Sequence, residues 1–400
     1  MRLALIPGCA AMLSAPLLAR AQVTAPVEPA WTWASSTESP LAVSASELSD
    51  QEADLQRACG APEQGLRAVA RVLVERRARG LGYLDLDGLT FAQRASGEPH
   101  VWPRAWIVSG RAMDHGASLK KLAAWRESFR DEGVRRCGLA SGYAPDGTHI
   151  IAAIALDAIA DLTRPLPVRT HAGSWLTVEA RVTIPATGAR VVVVGPGGEP
   201  RTVPTSFDGS RVLARFAPDR PGAFTVQLVV DAATGPRPAL EAQVFADSDP
   251  PVTIPNLPSP GESEGAGAAD ASTSLARMLA SFRKLQRLPA LTRDARLDAV
   301  ALGHARRMME ARTVGHDVGD GDPAQRLQNA GLSASEAGEN VAHAQTVTLA
   351  HRALYQSPSH RANMQRAEFG QLGLAVIDDP DGSVWVAEVF ARQLAAAGPK

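Results

Sequence analysis

The chain is short of several things at once. Lysine occurs at four positions, Lys120, Lys121, Lys284 and Lys400, although Lys and Arg together number 41. That skew reads as the codon usage of a GC-rich genome, so arginine abundance is given no functional weight. The three cysteines, Cys9, Cys59 and Cys137, are too few for a disulfide-dense scaffold or a multi-cysteine zinc or iron–sulfur site. Neither sign of charge is in excess: 41 basic against 42 acidic residues gives a net charge of −1, which argues against a nucleic-acid partner. Beyond the N-terminal segment no apolar run reaches the ~18 residues needed to span a bilayer. The best of them, Ile150 to Ile159, is short and interrupted by Asp157.

What is abundant is turn and linker material, with 29 prolines and 34 glycines in 400 residues. At ~100–200 residues per domain there is room for two to four domains. The first 21 residues read as a secretion signal, with Arg2 as the positive start, a mostly apolar Leu3 to Leu18, and Ala19, Arg20 and Ala21 as the cleavage pattern. Cleavage is expected before Gln22 and the mature protein is expected to be secreted or periplasmic. A lipoprotein reading on Cys9 would need a longer apolar stretch ahead of it. With Cys9 removed, Cys59 and Cys137 remain as a pair in an oxidising compartment, and a disulfide between them is expected.

Residues 22–48, rich in Ala, Ser, Thr and Pro and without periodicity, read as a flexible leader. Residues 49–164 read as an α+β domain: helical spacing from Leu55 to Arg79 and from Ser118 to Arg130, then strand-like text around a Pro145-Asp146-Gly147 turn. From Pro165 to Asp247 short alternating strands and turn signals predict an immunoglobulin- or fibronectin-like β-sandwich. A Pro/Gly/Ser linker follows over 248–273. Residues 274–394 read as a second α+β domain, with helices over Leu275–Leu285, Leu297–Met308 and Thr346–Gln356 and a strand hairpin turning at Asp379 to Gly382.

Five of the nine histidines, His304, His316, His343, His351 and His360, fall in this last domain. His316 follows Gly315 in a loop rich in Gly and Asp, and His360 lies in the run Ser357, Pro358, Ser359, His360, Arg361, Ala362, Asn363, Met364. His304 lies on an apolar helix face and reads as a core residue; His343 and His351 read as surface residues. Arg361 and Asn363 read as loop anchors.

Five ordered motifs resemble the CAP family (SCP-like; cysteine-rich secretory protein, antigen 5, pathogenesis-related), in its bacterial form. They are His304 to Gly315-His316, Ala330-Gly331, Gly338-Glu339-Asn340, Ser357 to Met364, and Phe369 with Gly373 and Val384 to Phe390. The resemblance implies an α-β-α sandwich for 274–394, with a cleft in which His316, His360 and Glu339 match two histidines and one acid. Ser357 stands where many members place a second acid, and Leu354 where they place a tryptophan. Two neutral imidazoles could hold zinc, and Glu339 could serve as a further ligand or as a base for metal-bound water. Three readings stand side by side: a hydrogen-bonded network stitching loops together, a non-catalytic cleft, and a metal-dependent hydrolase. The leading expectation is binding of a metal ion, a small apolar ligand or a cell-envelope component, with a structural envelope protein as a further alternative.

Residues 50–162 echo this text without its histidines. Leu122, Trp125 and Ser128, then Gly138-Leu139-Ala140, Asp146-Gly147 and Ile150 to Ile154, run parallel to the C-terminal order, with Gly97-Glu98-Pro99 set against Gly338-Glu339-Asn340. A degenerate CAP-like copy and an unrelated α+β domain are both open at this point.

Overall fold

The computed structural model describes residues 30–36, 50–128, 132–255 and 258–396. The expected signal peptide and most of the leader lie outside them. The chain is α+β and multidomain. Its first domain runs α1 (Asp50–Cys59), β1 (Ala61–Pro62), α2 (Gln64–Ala78), α3 (Leu86–Ala95), β2 (Arg104–Gly110), α4 (His115–Glu127), β3 (Val134–Tyr143) and β4 (His149–Ala158). The single helix expected over 55–79 is in fact two, because Gly60 takes a φ of 149° and Pro62 follows in a short strand that pairs in parallel with β3. Cys59 and Cys137 form the expected disulfide.

The sandwich takes its first strand ahead of the break expected at Pro165. It comprises β5 (Ala160–Leu162), β6 (Arg169–Thr170), β7 (Leu176–Val182), β8 (Ala186–Val194), β9 (Pro200–Val203), β10 (Thr205–Phe207), β11 (Arg211–Phe216), β12 (Gly222–Ala232) and β13 (Gly235–Ala246). These form two sheets, β10-β11-β7-β5 and β6-β13-β12-β8-β9. Leu176, Val178, Ala180 and Val182 alternate inward from β7 to meet Val191, Val193, Val226 and Val244.

The last domain holds α5 (Ala271–Leu285), β14 (Thr292–Arg293), α6 (Ala295–Ala311), α7 (Pro323–Asn329), β15 (Leu332–Ser333), β16 (Glu336–Ala344), α8 (Val347–Gln356), α9 (Pro358–Gln365), β17 (Gln371–Asp378), β18 (Val384–Arg392) and β19 (Ala395–Ala396). Leu297, Val300, Ala301, Ala305 and Met308 recur at helical spacing on α6 and pack on one face of the sheet with Trp385 and Val389. Leu275, Met278, Leu279 and Phe282 of α5, with Leu354 of α8, cover the other face. The result is an α-β-α sandwich.

The first and last domains share one topology. The N-terminal sheet is ordered β1-β3-β4-β2 and the C-terminal one β14-β17-β18-β16. In each, the short first strand is parallel to its neighbour and the other two pairings are antiparallel. The correspondence reaches single residues. Gly138 of β3 lies against α2 so closely that an added methyl would stand 2.0 Å from Leu66 C, and at Gly373 of β17 it would stand 2.1 Å from Leu297 C on α6. Asp146-Gly147 and Asp381-Gly382 make the same turn, with Gly φ of 82° and 88°. The Asp Oδ1 accepts from Thr148 N at 3.0 Å in one and from Ser383 N at 2.9 Å in the other.

Helix-on-glycine packing of this kind leaves no room for a side chain. Gly138→Ala and Gly373→Ala should each destabilise their own domain by about 3 kcal/mol, because backbone rather than a movable side chain meets the new methyl. Domain-resolved hydrogen exchange would read it as lost protection of β3 and β4 in one variant and of β17 and β18 in the other. Full protection in either variant would show that the contact is not a constraint.

Two segments expected to be flexible are docked where they are described. Trp31 N donates to Val252 O at 2.8 Å, Trp33 Nε1 to Pro251 O at 2.8 Å, and the Trp33 ring meets Phe91 of α3 and Phe245 of β13 edge-on. In the linker, Glu262 pairs with Arg352 of α8. That fold-back also buries His351 completely, with Nε2 donating to Pro260 O at 3.3 Å. The expectation of a surface position for His351 is corrected: the linker covers it.

Candidate functional site

Three elements bring the expected site residues together. The loop after α6, turned by Arg312 in a left-handed conformation (φ 54°), carries His316. Strand β16 carries Glu339, and α9, started by Pro358 at its first turn, carries His360. His316 Nδ1 donates to Glu339 Oε1 at 2.8 Å, so Nε2 is the ring nitrogen not engaged by that carboxylate oxygen. Arg326 of α7 donates through Nη2 to Glu339 Oε2 and through Nη1 to the His316 carbonyl at 2.7 Å. Asn363 donates to the Glu339 carbonyl at 3.0 Å and to Asn340 Oδ1 at 2.9 Å, and Asn340 donates to Glu388 Oε2 at 2.9 Å.

Burial raises the Glu339 carboxyl, but the hydrogen bond from His316 and the charges of His304, His316 and Arg326 outweigh it and hold it below the ordinary carboxylate range. Burial pushes the His360 imidazole down to about 3, His316 adds to the shift, and Glu339 offsets part of it. His360 is therefore neutral at every physiological pH. His304 lies fully buried, with Nδ1 2.8 Å from Asp320 Oδ2 and Nε2 2.9 Å from Gly315 O, as a core residue should.

Ser357, expected in the cleft, is engaged elsewhere: its Oγ accepts from Gln227 Nε2 of the sandwich at 3.1 Å. Arg361 anchors α9, donating to Tyr355 O at 2.6 Å and to Gly198 O at 3.2 Å. His343 is exposed and stacks on Trp385. With Asp379 and Asp381 it makes the one trio of potential metal ligands among the described residues whose atoms lie within 4.8 Å of one another. His316, His360 and Glu339 do not make such a trio. They offer a pair of imidazoles, with Glu339 as the orienting partner of one.

Sequence reasoning missed Arg326 and Glu388. Arg326 carries no local signal, since its side chain bridges the loop of His316 to Gly321 and the distant Glu339 on β16. Glu388 was visible as a lone acid in the apolar strand Val384 to Phe390; burial raises its carboxyl to about 7. The proposed equivalence of Gly97-Glu98 with Gly338-Glu339 is corrected by sheet register. Ala105 pairs with Ile154 as Glu339 pairs with Val389, and Ile154 and Val389 lie opposite the matched glycines Gly138 and Gly373. Glu98 lies before β2 and bonds His100 instead. Where the last domain has its site acid, the first has alanine.

Among solved structures, an extracellular SCP-domain protein of Bacillus anthracis is 18% identical, with 69% of this chain and 92% of that one covered, at a TM-score of 0.29. A cysteine-rich secretory protein of Staphylococcus aureus is 12% identical, covering 60% and 81%, at 0.27. An outer surface protein of Borrelia burgdorferi is 23% identical, covering 30% and 89%, at 0.28. No curated protein sequence matches the chain. The profile of the cysteine-rich secretory protein family matches residues 276–389. The α-β-α domain that positions His316, Glu339 and His360 is thus a CAP domain, at the C-terminal end of a longer multidomain chain.

Proposed function

We propose that the chain is an exported, non-catalytic binding protein whose CAP cleft takes a divalent cation, with zinc as the test case, through His316 and His360. The observation that carries this reading is the 2.8 Å bond from His316 Nδ1 to Glu339. A carboxylate behind the imidazole fixes the tautomer and leaves Nε2 as the ligand atom, the usual outer arrangement of a metal-binding histidine. His360, held neutral, keeps a lone pair on its ring for the same cation. Two imidazoles leave the remaining coordination positions to water or to oxygen atoms of a second ligand.

The hydrolytic alternative asks Glu339 to accept a proton from water. Both of its carboxylate oxygens already accept from His316 and Arg326, which argues against a free base. Export rests on the N-terminal pattern from Arg2 to Ala21 and on the oxidised Cys59–Cys137 pair. No helix among the described residues is long and apolar enough to cross a membrane.

Calorimetric zinc titration of the full chain tests the reading. One site is expected, weakened by about tenfold or more in His316→Ala and in His360→Ala, since each removes one of two protein ligands. Measurable affinity that is equal in all three proteins would discard His316 and His360 as ligands of the cation.

A further inference from the structure

The β-sandwich does not stand apart from the cleft. Helix α9, which carries His360, lies against β8, β9 and β12. At the far end of the β12–β13 hairpin, Gly235 is so near His316 that an added methyl would stand 2.9 Å from its Cβ and 3.7 Å from its Cδ2. Thr234, at the same tip, has its hydroxyl buried without a hydrogen-bond partner among the described residues. His316 and His360 are each left only 9% exposed.

A buried polar chain holds the hairpin in place. Gln227 of β12 donates to Ser357 Oγ at 3.1 Å and accepts from Ser359 N at 3.0 Å, one residue from His360. The same amide donates to Glu241 Oε2 of β13 at 2.9 Å, and Glu241 in turn pairs with Arg94 of α3. Arg94, Glu241, Gln227 and Ser357 therefore link all three domains, through buried Gln227 and Glu241 at the centre and half-buried Arg94 and Ser357 at the ends. Such groups are held firmly while every partner is present and are costly to leave unmatched.

We propose that the β12–β13 hairpin is an intramolecular gate on the His316–His360 cleft, closed in this structure and locked by Gln227 and Glu241. Ligand enters when the sandwich moves off α9. This deepens the reading of the cleft as a binding site and rests on it for its purpose, but the gate itself is read independently of any ligand. While the gate is shut, apparent affinity is reduced by the fraction of molecules that are open.

Two substitutions in the sandwich loosen the gate while leaving every cleft residue itself unsubstituted. Gln227→Ala removes the bonds to Ser357 and Ser359, and Gly235→Ala places a methyl against His316 as a wedge. Diethyl pyrocarbonate modification of the full chain, resolved peptide by peptide, reports which imidazoles are reachable. In the native protein His316 and His360 should react slowly, with buried His304 and exposed His171 as the slow and fast references. In either variant both cleft histidines should react about tenfold faster while His304 stays unchanged.

Native His316 reacting as fast as His171 overturns the gate. So do unchanged rates in both variants when hydrogen exchange shows the sandwich still folded. Zinc titration of the same variants separates this from the cation reading: tighter zinc binding than in the native chain supports both. Exposed histidines that still bind no zinc overturn the cation and leave the gate standing.

Discussion

Replacing Glu339 by alanine should loosen the last domain while the first two keep their stability. The carboxylate lies 5% exposed and is the point at which His316, Arg326 and, at 3.6 Å, His304 converge. Its removal leaves the buried Arg326 guanidinium with Asp320, at 3.5 Å, as its remaining counter-charge, and breaking a buried pair from one side costs up to about 3–5 kcal/mol. Glu339→Gln keeps the volume but turns an amide N–H toward the Arg326 donors, so it should recover only part of the loss. Hydrogen exchange reads the effect by region: amides of β16 and β18 lose protection and those of β3 and β4 do not. A fully protected β16 in Glu339→Ala would mean that Arg326 finds another acceptor and that the carboxylate is not the centre of the network. The same change also frees the His316 ring, so zinc affinity in the opened variants should fall by about 10–100-fold.

The sequence carried the elements whose signal is local. Helical spacing on Leu297 to Met308 and on Leu275 to Phe282, the alternation of β7, and the Asp-Gly turns are properties of short windows, and each appears where its pattern lies. His316, Glu339 and His360 could be named because a family resemblance orders them along the chain. What the text could not carry was anything decided by pairing across distance. Glu98 looked like Glu339 as a letter beside a glycine, yet register against β4 gives that position to Ala105. Gln227, Glu241 and Arg94 form the joint between domains, but each lies in an ordinary stretch of its own strand or helix. His351 read as exposed because nothing in α8 announces that the linker folds back over it. One miss was avoidable: Gly60 and Pro62 are breakers in plain view, and they end α1 before β1 begins.

Removing the disulfide should cost the first domain more than any single side chain there. Cys59 closes α1 and Cys137 lies in β3, and both are fully buried. The bridge spans a sequence separation of 78, which encloses β1, α2, α3, β2 and α4. Loop-closure entropy for a ring of that size corresponds to about 4.5 kcal/mol at 25 °C. At the equivalent place in the last domain, beside Gly373, Leu372 packs into an apolar cluster instead, and no disulfide is present among its described residues. Reduction, or Cys59→Ala with Cys137→Ala, should therefore strip protection from β3 and β4 and leave β17 and β18 as they were. Equal loss in both domains would show that they fold as one unit and that the bridge braces the whole chain. Arg94, the outer anchor of the hairpin, lies on α3 inside the closed ring. Loosening that ring weakens its hold on Glu241, so carbethoxylation of His316 should rise in the reduced protein together with the loss of protection in β3.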